Sequence, residues 1–283
     1  MTSILLRDTG ISADTPPPLT REQSHHIANV LRLKQGTRFR VLDGAGASRV
    51  AELVSVSKRE TRYEYRGGVE TLLRAGVEIT LFQCVAKAAR MDWLVEKATE
   101  LGVARIVPVL SERTIAGANT DRWNRIAEAA LCQCGGGWLP EIPSALKWDT
   151  TLAAIRSFIT SGGTAYIGSL TPDSPSFSSS FSPHPSAFLI GPEGDFTPAE
   201  YESAIHAGAI PVSFGPHVLR VETAAIYAVS ATLALASAGT THPAGPIRFS
   251  LWPVCARQSR NPPPQRAFQC RHTPPTAATA MRL

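Results

Sequence analysis

Two segments of the sequence each run from a short apolar stretch through a glycine-containing loop into a helix. In the first segment, residues 187–190 predict a buried strand, and residues 191–194, Gly-Pro-Glu-Gly, predict a turn that needs backbone freedom. Thr197, Pro198 and Glu200 predict the start of the following helix, because they supply an N-cap, a proline in the first turn and a capping box. This order of elements indicates an α/β fold.

The second segment repeats the same plan. Residues 211–214 predict a strand, residues 215–217 predict a loop, and an apolar helix is expected to begin at Glu222 and to end at Ala238. Two such units in series place both loops at the carboxyl edge of a parallel sheet, where open α/β folds bind ligands. The alternative is that the glycines only satisfy turn geometry. We expect a small cofactor at this edge.

The composition of the loops excludes the familiar phosphate-binding motifs. The G-x-G at Gly44 and Gly46 lacks a third glycine and a following helix, and the sequence has no G-x-x-x-x-G-K-[ST] motif. Glu193 brings a negative charge into the first loop. A carboxylate there disfavours a triphosphate and is compatible with a cationic or hydroxyl-bearing ligand.

The amino-terminal part of the chain is basic. Residues 1–75 hold 12 Lys and Arg against 8 Asp and Glu, whereas residues 76–240 hold 10 against 15. Residues 37–42, 48–53 and 62–65 predict short strands, and a small barrel built from them would present basic side chains to RNA phosphates. The alternative is a solvated β face whose charges only maintain solubility.

Glycine, serine and proline indicate where the predicted elements are connected. Residues 67–76 begin with Gly67-Gly68 and end with Gly76, which predicts a linker, and residues 77–82 predict the next strand. Residues 90–101 predict a helix with one apolar face, ended by Gly102. Residues 169–185 are rich in serine and proline and predict a long surface loop.

The chain is therefore expected to have three parts. Residues 1–72 are predicted to form the barrel and residues 77–240 the α/β domain. Residues 241–283 hold six arginines, no acidic residue and no sustained hydrophobic period, which predicts a disordered, basic, proline-rich tail. Such a tail is either dispensable or an extension that holds RNA electrostatically.

The cysteines and the last predicted helix indicate the cellular location of the protein and whether it binds a metal. Five cysteines, an odd number, fit a reducing cytosol, so a cytoplasmic protein is expected. Cys132 and Cys134 have no second pair at ligand spacing, so no metal is expected. The apolar helix after Glu222 is only about 17 residues long, which predicts a buried core helix rather than a membrane span.

Five runs of residues resemble the motifs of one enzyme family: 25–36, 87–102, 108–113, 190–197 and 215–224. At these residues the chain resembles the SPOUT superfamily of S-adenosylmethionine-dependent RNA methyltransferases. Within it, the chain is most similar to the RsmE family, which methylates N3 of a uridine in 16S ribosomal RNA. The motifs are long and occur in the family's order, which makes the resemblance specific.

The resemblance implies an α/β SPOUT methyltransferase domain with a carboxyl-terminal trefoil knot, preceded by a small PUA-like RNA-binding β-barrel. It implies that the knotted loops hold the methyl donor S-adenosyl-L-methionine, and that the protein is a homodimer with its site near the interface. The implied substrate is 16S rRNA in the small ribosomal subunit, and no membrane partner is expected.

Methyl transfer from a sulfonium is an in-line displacement, so such an enzyme mainly positions the donor and the nucleophile. Arg220, at the mouth of the second loop, is the candidate catalytic residue that would stabilise charge developing on the uracil carbonyl oxygens. The alternative for Arg220 is a salt bridge to Glu222 or Glu193. The residues expected around the donor are Leu189, Ile190, Gly191, Glu193, Gly194, Phe214, Gly215, Val218, Leu219 and Glu222.

Five residues are expected to contact the RNA. Lys87 and Arg90 follow a predicted strand end and would meet substrate phosphates, or are alternatively ordinary surface charges. The full set is Arg32, Lys34, Lys87, Arg90 and Gln133.

The chain departs from the family pattern at four positions. Cys132 stands where the family has a glutamate, and Gly136 where it has an arginine. Asp195 replaces the second glycine of a pair, and His217 stands where the family tends to have arginine. Because two charged residues are lost near the expected RNA-facing region, we expect donor binding to be better preserved than substrate handling. The changes at Cys132 and Gly136 motivate one alternative to an active rRNA methyltransferase, an RNA-binding relative that has lost catalysis. A separate alternative is a SPOUT methyltransferase that acts on another RNA, such as tRNA.

Overall fold

The computed structural model of the chain describes residues 1–7, 11–57, 59–74 and 76–238. The tail predicted for residues 241–283 lies outside the described residues. Two β-sheets organise the rest of the chain, one within residues 3–71 and the other within residues 79–212. The two sheets lie within the predicted segments 1–72 and 77–240, and the domain boundaries stay a prediction.

The first sheet has four strands in the order β1-β2-β3-β4. Strands β1 and β2 are parallel and the other two pairings are antiparallel. A short helix, α1, begins after the N-cap Thr20 with a capping box and continues into a single π-helical turn. The bounds are β1 Ser3–Leu5, α1 Arg21–His25, the π-helical turn His26–Val30, β2 Arg38–Leu42, β3 Ala47–Ser55 and β4 Arg62–Thr71.

Strand β4 overturns the prediction that a linker begins at Gly67. The ladder between β3 and β4 shifts its register between Arg49 and Ala51, and Gly67 lies in the corresponding part of β4 with a φ of 97°. Glycine adopts such a φ without steric cost, and an isolated glycine in a strand often marks a bulge. Arg49 Nε donates to the Gly67 carbonyl at 2.9 Å, which holds the irregular segment against β3. The connection between the sheets therefore begins after Thr71.

The second sheet has six strands in the order β10-β8-β9-β5-β6-β7, and every pairing in it is parallel. Helices cover both faces, as parallel sheets require. The strands are β5 Ile79–Cys84, β6 Arg105–Leu110, β7 Leu146–Lys147, β8 Thr164–Gly168, β9 Ser186–Ile190 and β10 Ile210–Val212. The helices are α2 Ala88–Glu100, α3 Thr120–Cys134, α4 Trp148–Thr160, α5 Phe177–Ser180, α6 Pro198–His206 and α7 Val221–Ala238.

Alternating side chains of the central strands form a core on each face of the sheet. On one face, Leu81 of β5 and Ile190 of β9 pack with side chains of α2, α3 and α7. On the other face, Phe82 and Leu189 pack with side chains of α4 and α6. The parallel α/β fold predicted from the sequence is confirmed. No helix of the described residues has the length and apolar character needed to cross a membrane.

Both predicted strand–loop–helix units are present. Thr197 caps α6, with Pro198 in its first turn and a complete capping box to Glu200. In the second unit the strand is shorter than predicted, because β10 ends at Val212. Beyond it, Ser213 N donates to the Pro175 carbonyl, so the chain has already left the sheet.

The predicted surface loop at residues 169–185 is partly wrong, because it contains the short helix α5. Phe177 of α5 is only 1% exposed. Its ring centroid lies 5.2 Å from that of Tyr166 and 5.3 Å from that of Phe188. Phe177, with Phe181 packed against it, thus anchors this serine- and proline-rich segment to the sheet. These contacts have no periodic signal in the sequence.

This anchoring predicts a large loss of stability for Phe177→Ala. Removing a fully buried aromatic ring leaves a cavity, so the free energy of unfolding measured in urea should fall by about 3 kcal/mol. The exposed neighbour provides the control, since Ser178→Ala should change it by less than about 0.5 kcal/mol. Equal effects of the two substitutions would show that α5 is not part of the core.

Candidate active site

A cavity of about 310 Å³ lies at the carboxyl ends of β8, β9 and β10, where the two glycine-containing loops meet. The first loop follows β9, the second follows β10, and the start of α7 closes one wall. The lining residues are Arg90, Gly168, Ser169, Leu170, Ile190, Gly191, Pro192, Glu193, Asp195, Phe214, Gly215, His217, Val218, Leu219, Arg220, Val221 and Ala224.

Most of the wall is apolar. Ile190 closes the end of β9, and Phe214 packs its ring against Tyr227 at a centroid distance of 5.6 Å. Leu219 and Ala224 contribute from the second loop and α7. Such a wall accepts a flat, uncharged ring system, while the peptide groups of the loops remain as hydrogen-bonding groups.

The two loops solve their turn geometry differently. Gly215 has a φ of 124°, which only glycine adopts readily. In the first loop the residue with a positive φ is Asp195, at 61°. Aspartate tolerates this left-handed conformation better than most residues. Its Oδ1 atom also accepts a hydrogen bond from the Phe196 amide at 2.8 Å.

A guanidinium group from outside both loops connects them. Arg90, in the first turn of α2, donates from Nη1 to Glu193 Oε1 at 3.0 Å. Its Nε atom lies 3.9 Å from Glu222 Oε1 at the start of α7. The Lys87 amide also donates to Glu193 Oε1, at 3.3 Å. The carboxylate of Glu193 is thus held by the amino-terminal end of α2.

The loop after β6 holds the other side of the first loop. Arg113 Nη1 donates to the Gly194 carbonyl at 2.8 Å. Glu200, only 6% exposed, accepts from the Glu112 amide at 2.7 Å while it completes the capping box of α6. These contacts fix the first loop between two neighbouring segments of the sheet edge.

Arg220 lines the cavity with an exposed side chain. Both of its alternative partners, Glu193 and Glu222, pair with Arg90 instead. The Arg220 side chain is accessible to water, so its charge does not need a partner from the protein. Its guanidinium group is therefore available to a ligand at the mouth of the cavity.

Seven of the ten residues expected around the donor line the cavity; Leu189, Gly194 and Glu222 do not. Leu189 points to the opposite face of the sheet, since neighbouring strand residues alternate. Gly194 faces Arg113, and Glu222 lies in an adjoining groove beside Arg90. Sequence reasoning missed the end of β8, Gly168 and Ser169, although an apolar run ending in glycine at 164–168 was the available signal.

The residues expected to contact RNA are dispersed. Arg32 and Lys34 are exposed in the segment before β2, and Arg32 has a φ of 52°. Lys87 is exposed at the N-cap of α2, and Gln133 is exposed near the end of α3. Only Arg90 of the five lines the cavity, and there it is engaged by carboxylates.

Several arginines of the first sheet are neutralised within it. Arg38 and Arg66 both pair with Glu52, at 3.2 and 3.4 Å. Arg40 pairs with Glu70 at 3.5 Å. The excess positive charge of the amino-terminal part of the chain therefore lies outside these ion pairs. It includes the exposed side chains of Arg32 and Lys34.

Two of the family departures, Cys132 in α3 and Gly136 just beyond its end, lie away from the cavity. Cys132 is in the last turn of α3, a helix that packs against α2 and β1. Burial raises the pKa of the Cys132 thiol to about 11, so it is a neutral group. A Cβ atom at Gly136 would lie 3.1 Å from Leu131 Cδ1, so a larger residue there would require Leu131 to move.

Comparison with known proteins agrees with this architecture. The family model described as RNA methyltransferase domain matches residues 74–233, and the model described as RNA methyltransferase PUA domain matches residues 19–60. Because the first model matches more than half of the chain, the chain belongs to the RNA methyltransferase family that this model describes.

Two curated relatives and one solved structure indicate which kind of RNA methyltransferase the chain is similar to. Ribosomal RNA small subunit methyltransferase E of Bacillus subtilis is 28% identical over 75% of this chain and 88% of its own length. The protein of the same name from Synechocystis is 30% identical over 77% of this chain and 72% of its own length. A solved ribosomal RNA small subunit methyltransferase E from Neisseria gonorrhoeae, bound to S-adenosyl methionine, is 28% identical, with a TM-score of 0.75 over 83% of this chain and 98% of that one.

The strained position in the first loop gives a prediction. Asp195→Ala keeps the left-handed conformation and loses the Phe196 hydrogen bond, whereas Asp195→Gly relieves the strain. In urea unfolding, Asp195→Gly should be more stable than Asp195→Ala by about 1 kcal/mol. Equal stabilities would mean that residue 195 does not hold a left-handed conformation in solution.

Proposed function

We propose that this protein transfers a methyl group from S-adenosyl-L-methionine to N3 of one uridine of 16S rRNA in the small ribosomal subunit. The observation that carries the proposal is the cavity between the two glycine-containing loops, in a chain whose domains match RNA methyltransferase models. Relatives named ribosomal RNA small subunit methyltransferase E support the choice of RNA.

The residues present fit the methyl donor. The apolar wall formed by Ile190, Phe214 and Leu219 suits an adenine ring, and the backbone groups of Gly191 and Gly215 are accessible to polar atoms. The Asp195 carboxylate lines the same cavity and is compatible with a cationic ligand, whereas Glu193 is already paired with Arg90. When bound, the donor supplies a methyl group on a positively charged sulfur, open to attack by a nitrogen.

The chain's own contribution is positioning and charge stabilisation. The uridine N3 proton is weakly acidic, and its loss places negative charge on the uracil carbonyl oxygens. Arg220, exposed at the cavity mouth and unpaired with the nearby carboxylates, is placed to meet that charge. Because N3 lies on the pairing edge of the base, the uridine must be unpaired or flipped out to reach the cavity.

The amino-terminal sheet supplies a second contact with the RNA in this proposal. Arg32 and Lys34 are exposed cations that would bind phosphates, as would Lys87 beside the cavity. Gln133 on α3 would contact the RNA on the same side as β1. These contacts give affinity that depends on ionic strength, while the cavity selects the base.

Two further features belong to the proposal. The first is a trefoil knot near the carboxyl end, supported by the resemblance of residues 190–197 and 215–224 to the motifs of the SPOUT superfamily. The second is a homodimer, supported by large apolar side chains exposed around the cavity mouth: Trp93, Leu170, Val218 and Tyr227. A cytoplasmic location follows from a ribosomal substrate.

The alternative candidate is an RNA-binding relative without turnover, favoured by Cys132 and Gly136 in place of charged residues. One experiment separates the readings: incubate the protein with labelled donor and undermethylated small subunits, and identify the product nucleoside by mass spectrometry. 3-Methyluridine at a single 16S site supports the proposal. Donor binding without transfer supports the alternative, and transfer to tRNA alone indicates a different substrate.

Arg220→Ala should lower kcat at least about 100-fold, because it removes a cation placed to stabilise the transition state. Donor affinity by calorimetry and the far-ultraviolet circular dichroism spectrum should be unchanged. The matched control is Arg105→Ala, an exposed arginine paired with Glu141 at the opposite edge of the sheet, which should keep full activity. Normal turnover by Arg220→Ala would remove Arg220 from the reaction.

A further inference from the structure

Arg90 occupies an unusual position between the two loops that line the cavity. Its Nη1 atom is 3.0 Å from Glu193 of the first loop, and its Nε atom is 3.9 Å from Glu222 at the end of the second. The guanidinium group is about one-third exposed, with a relative side-chain accessibility of 33%. One cation thus lies between two carboxylates that belong to different strand–loop–helix units.

We propose that Arg90 is a positioning residue that holds the two donor-lining loops in their binding geometry, and that it is not a phosphate contact. The inference rests on the proposed function, since it assigns Arg90 to the donor half of that site. It replaces the expectation that Arg90 meets the substrate RNA.

The charges around Arg90 explain why the loops need it. Glu222 is the more buried partner, with a side-chain accessibility of 14%, and its Oε2 atom is buried without a hydrogen-bond partner among the described residues. A buried carboxylate that loses its counter-charge is strongly destabilised. Without Arg90, Glu193 and Glu222 would also repel each other across the cavity rim, which would separate the loops.

The geometry also argues against an RNA role. A phosphate would have to compete with two carboxylates already beside the guanidinium, and its negative charge would be repelled by both. Arg220 and Lys87 are exposed cations in the same region, and neither has an ion pair with these carboxylates. The side chains of Arg220 and Lys87 are therefore available to bind RNA, whereas the Arg90 guanidinium is already occupied by carboxylates.

The proposal requires a guanidinium rather than any positive charge. The planar fork of arginine presents several N–H groups in fixed directions and can contact two carboxylates at once, whereas lysine presents a single point charge. Arg90→Lys should therefore keep the positive charge but bind the donor less tightly than the unsubstituted protein. It should still bind the donor more tightly than a variant with no charge at position 90.

The first test is donor binding by calorimetry, which needs no RNA. Arg90→Gln should raise the Kd for S-adenosylmethionine about tenfold, the combined effect expected for two partly exposed ion pairs. Adding Glu193→Gln to Arg90→Gln should raise the Kd by less than Glu193→Gln does in the unsubstituted protein, because the two residues interact. Additive effects would overturn the proposal.

The matched control uses another ion pair of α2. Arg122 of α3 pairs with Asp92 of α2 through three contacts of 2.6–3.0 Å, on a part of the helix that does not line the cavity. Arg122→Gln removes a comparable ion pair from the same helix and should leave the donor Kd unchanged. A similar loss in Arg122→Gln would mean that α2 is merely destabilised.

The second test separates positioning from phosphate binding. When a residue that contacts a phosphate is removed, the slope of log RNA affinity against log salt concentration becomes shallower by about one unit. Arg90→Gln should leave this slope unchanged, whereas Lys87→Gln should reduce it. A reduced slope in Arg90→Gln, with normal donor affinity, would return Arg90 to the RNA-binding set.

A third measurement distinguishes failure of this inference from failure of the proposed function. Hydrogen exchange of the free protein should be faster in Arg90→Gln at the amides of both loops, 191–196 and 213–220, and unchanged in α4. This expectation does not depend on which ligand the protein binds, because the exchange is measured on the free protein. Absence of donor binding by the unsubstituted protein would overturn the proposed function, and unchanged exchange in both loops would overturn the role of Arg90.

Discussion

The parallel pairing of β9 between β8 and β5 is the interaction on which the rest of this structure depends. It brings the ends of β8 and β9 to one edge, and β10 joins them by pairing with β8. Because parallel strands have their carboxyl ends at the same edge, both glycine-containing loops must emerge there. The buried aromatic side chains Tyr166, Phe177 and Phe188 hold this part of the sheet together with α5. The cavity is a consequence of that pairing.

Positive charge at the cavity is divided between two tasks. Arg90 and Arg113 hold the first loop, one through Glu193 and the other through the Gly194 carbonyl. Arg220 lies at the mouth, where the neighbouring carboxylates are already paired. A flexible loop that must close on a ligand loses conformational entropy, and loops already fixed by neighbours lose less. In the proposed function, loops held by Arg90 and Arg113 would bind the donor at a lower entropic cost, while Arg220 stays unpaired with the carboxylates at the mouth.

The departures from the family pattern have different structural consequences. Asp195 adopts the left-handed conformation that the family's glycine would adopt without cost, and its side chain offsets part of that cost by accepting from Phe196. His217 lines the cavity directly. Cys132 and Gly136 lie at the end of α3, beside β1 of the first sheet, and contribute nothing to the cavity wall. Their effect is therefore expected on RNA handling rather than on the donor.

The sequence by itself determined the parallel α/β class, both strand–loop–helix units and the cap of α6, because these follow from local patterns such as Thr197, Pro198 and Glu200. Seven of the ten residues expected around the donor also line the cavity, and their role there stays a prediction. Only the tertiary structure decided that β4 continues through Gly67, that Phe177 is buried, and that Arg90 rather than Arg220 pairs with Glu193 and Glu222. The reason is physical. A bulge, a buried ring in an irregular segment and an ion pair between residues 103 positions apart all depend on what lies opposite in space, which no local spacing records.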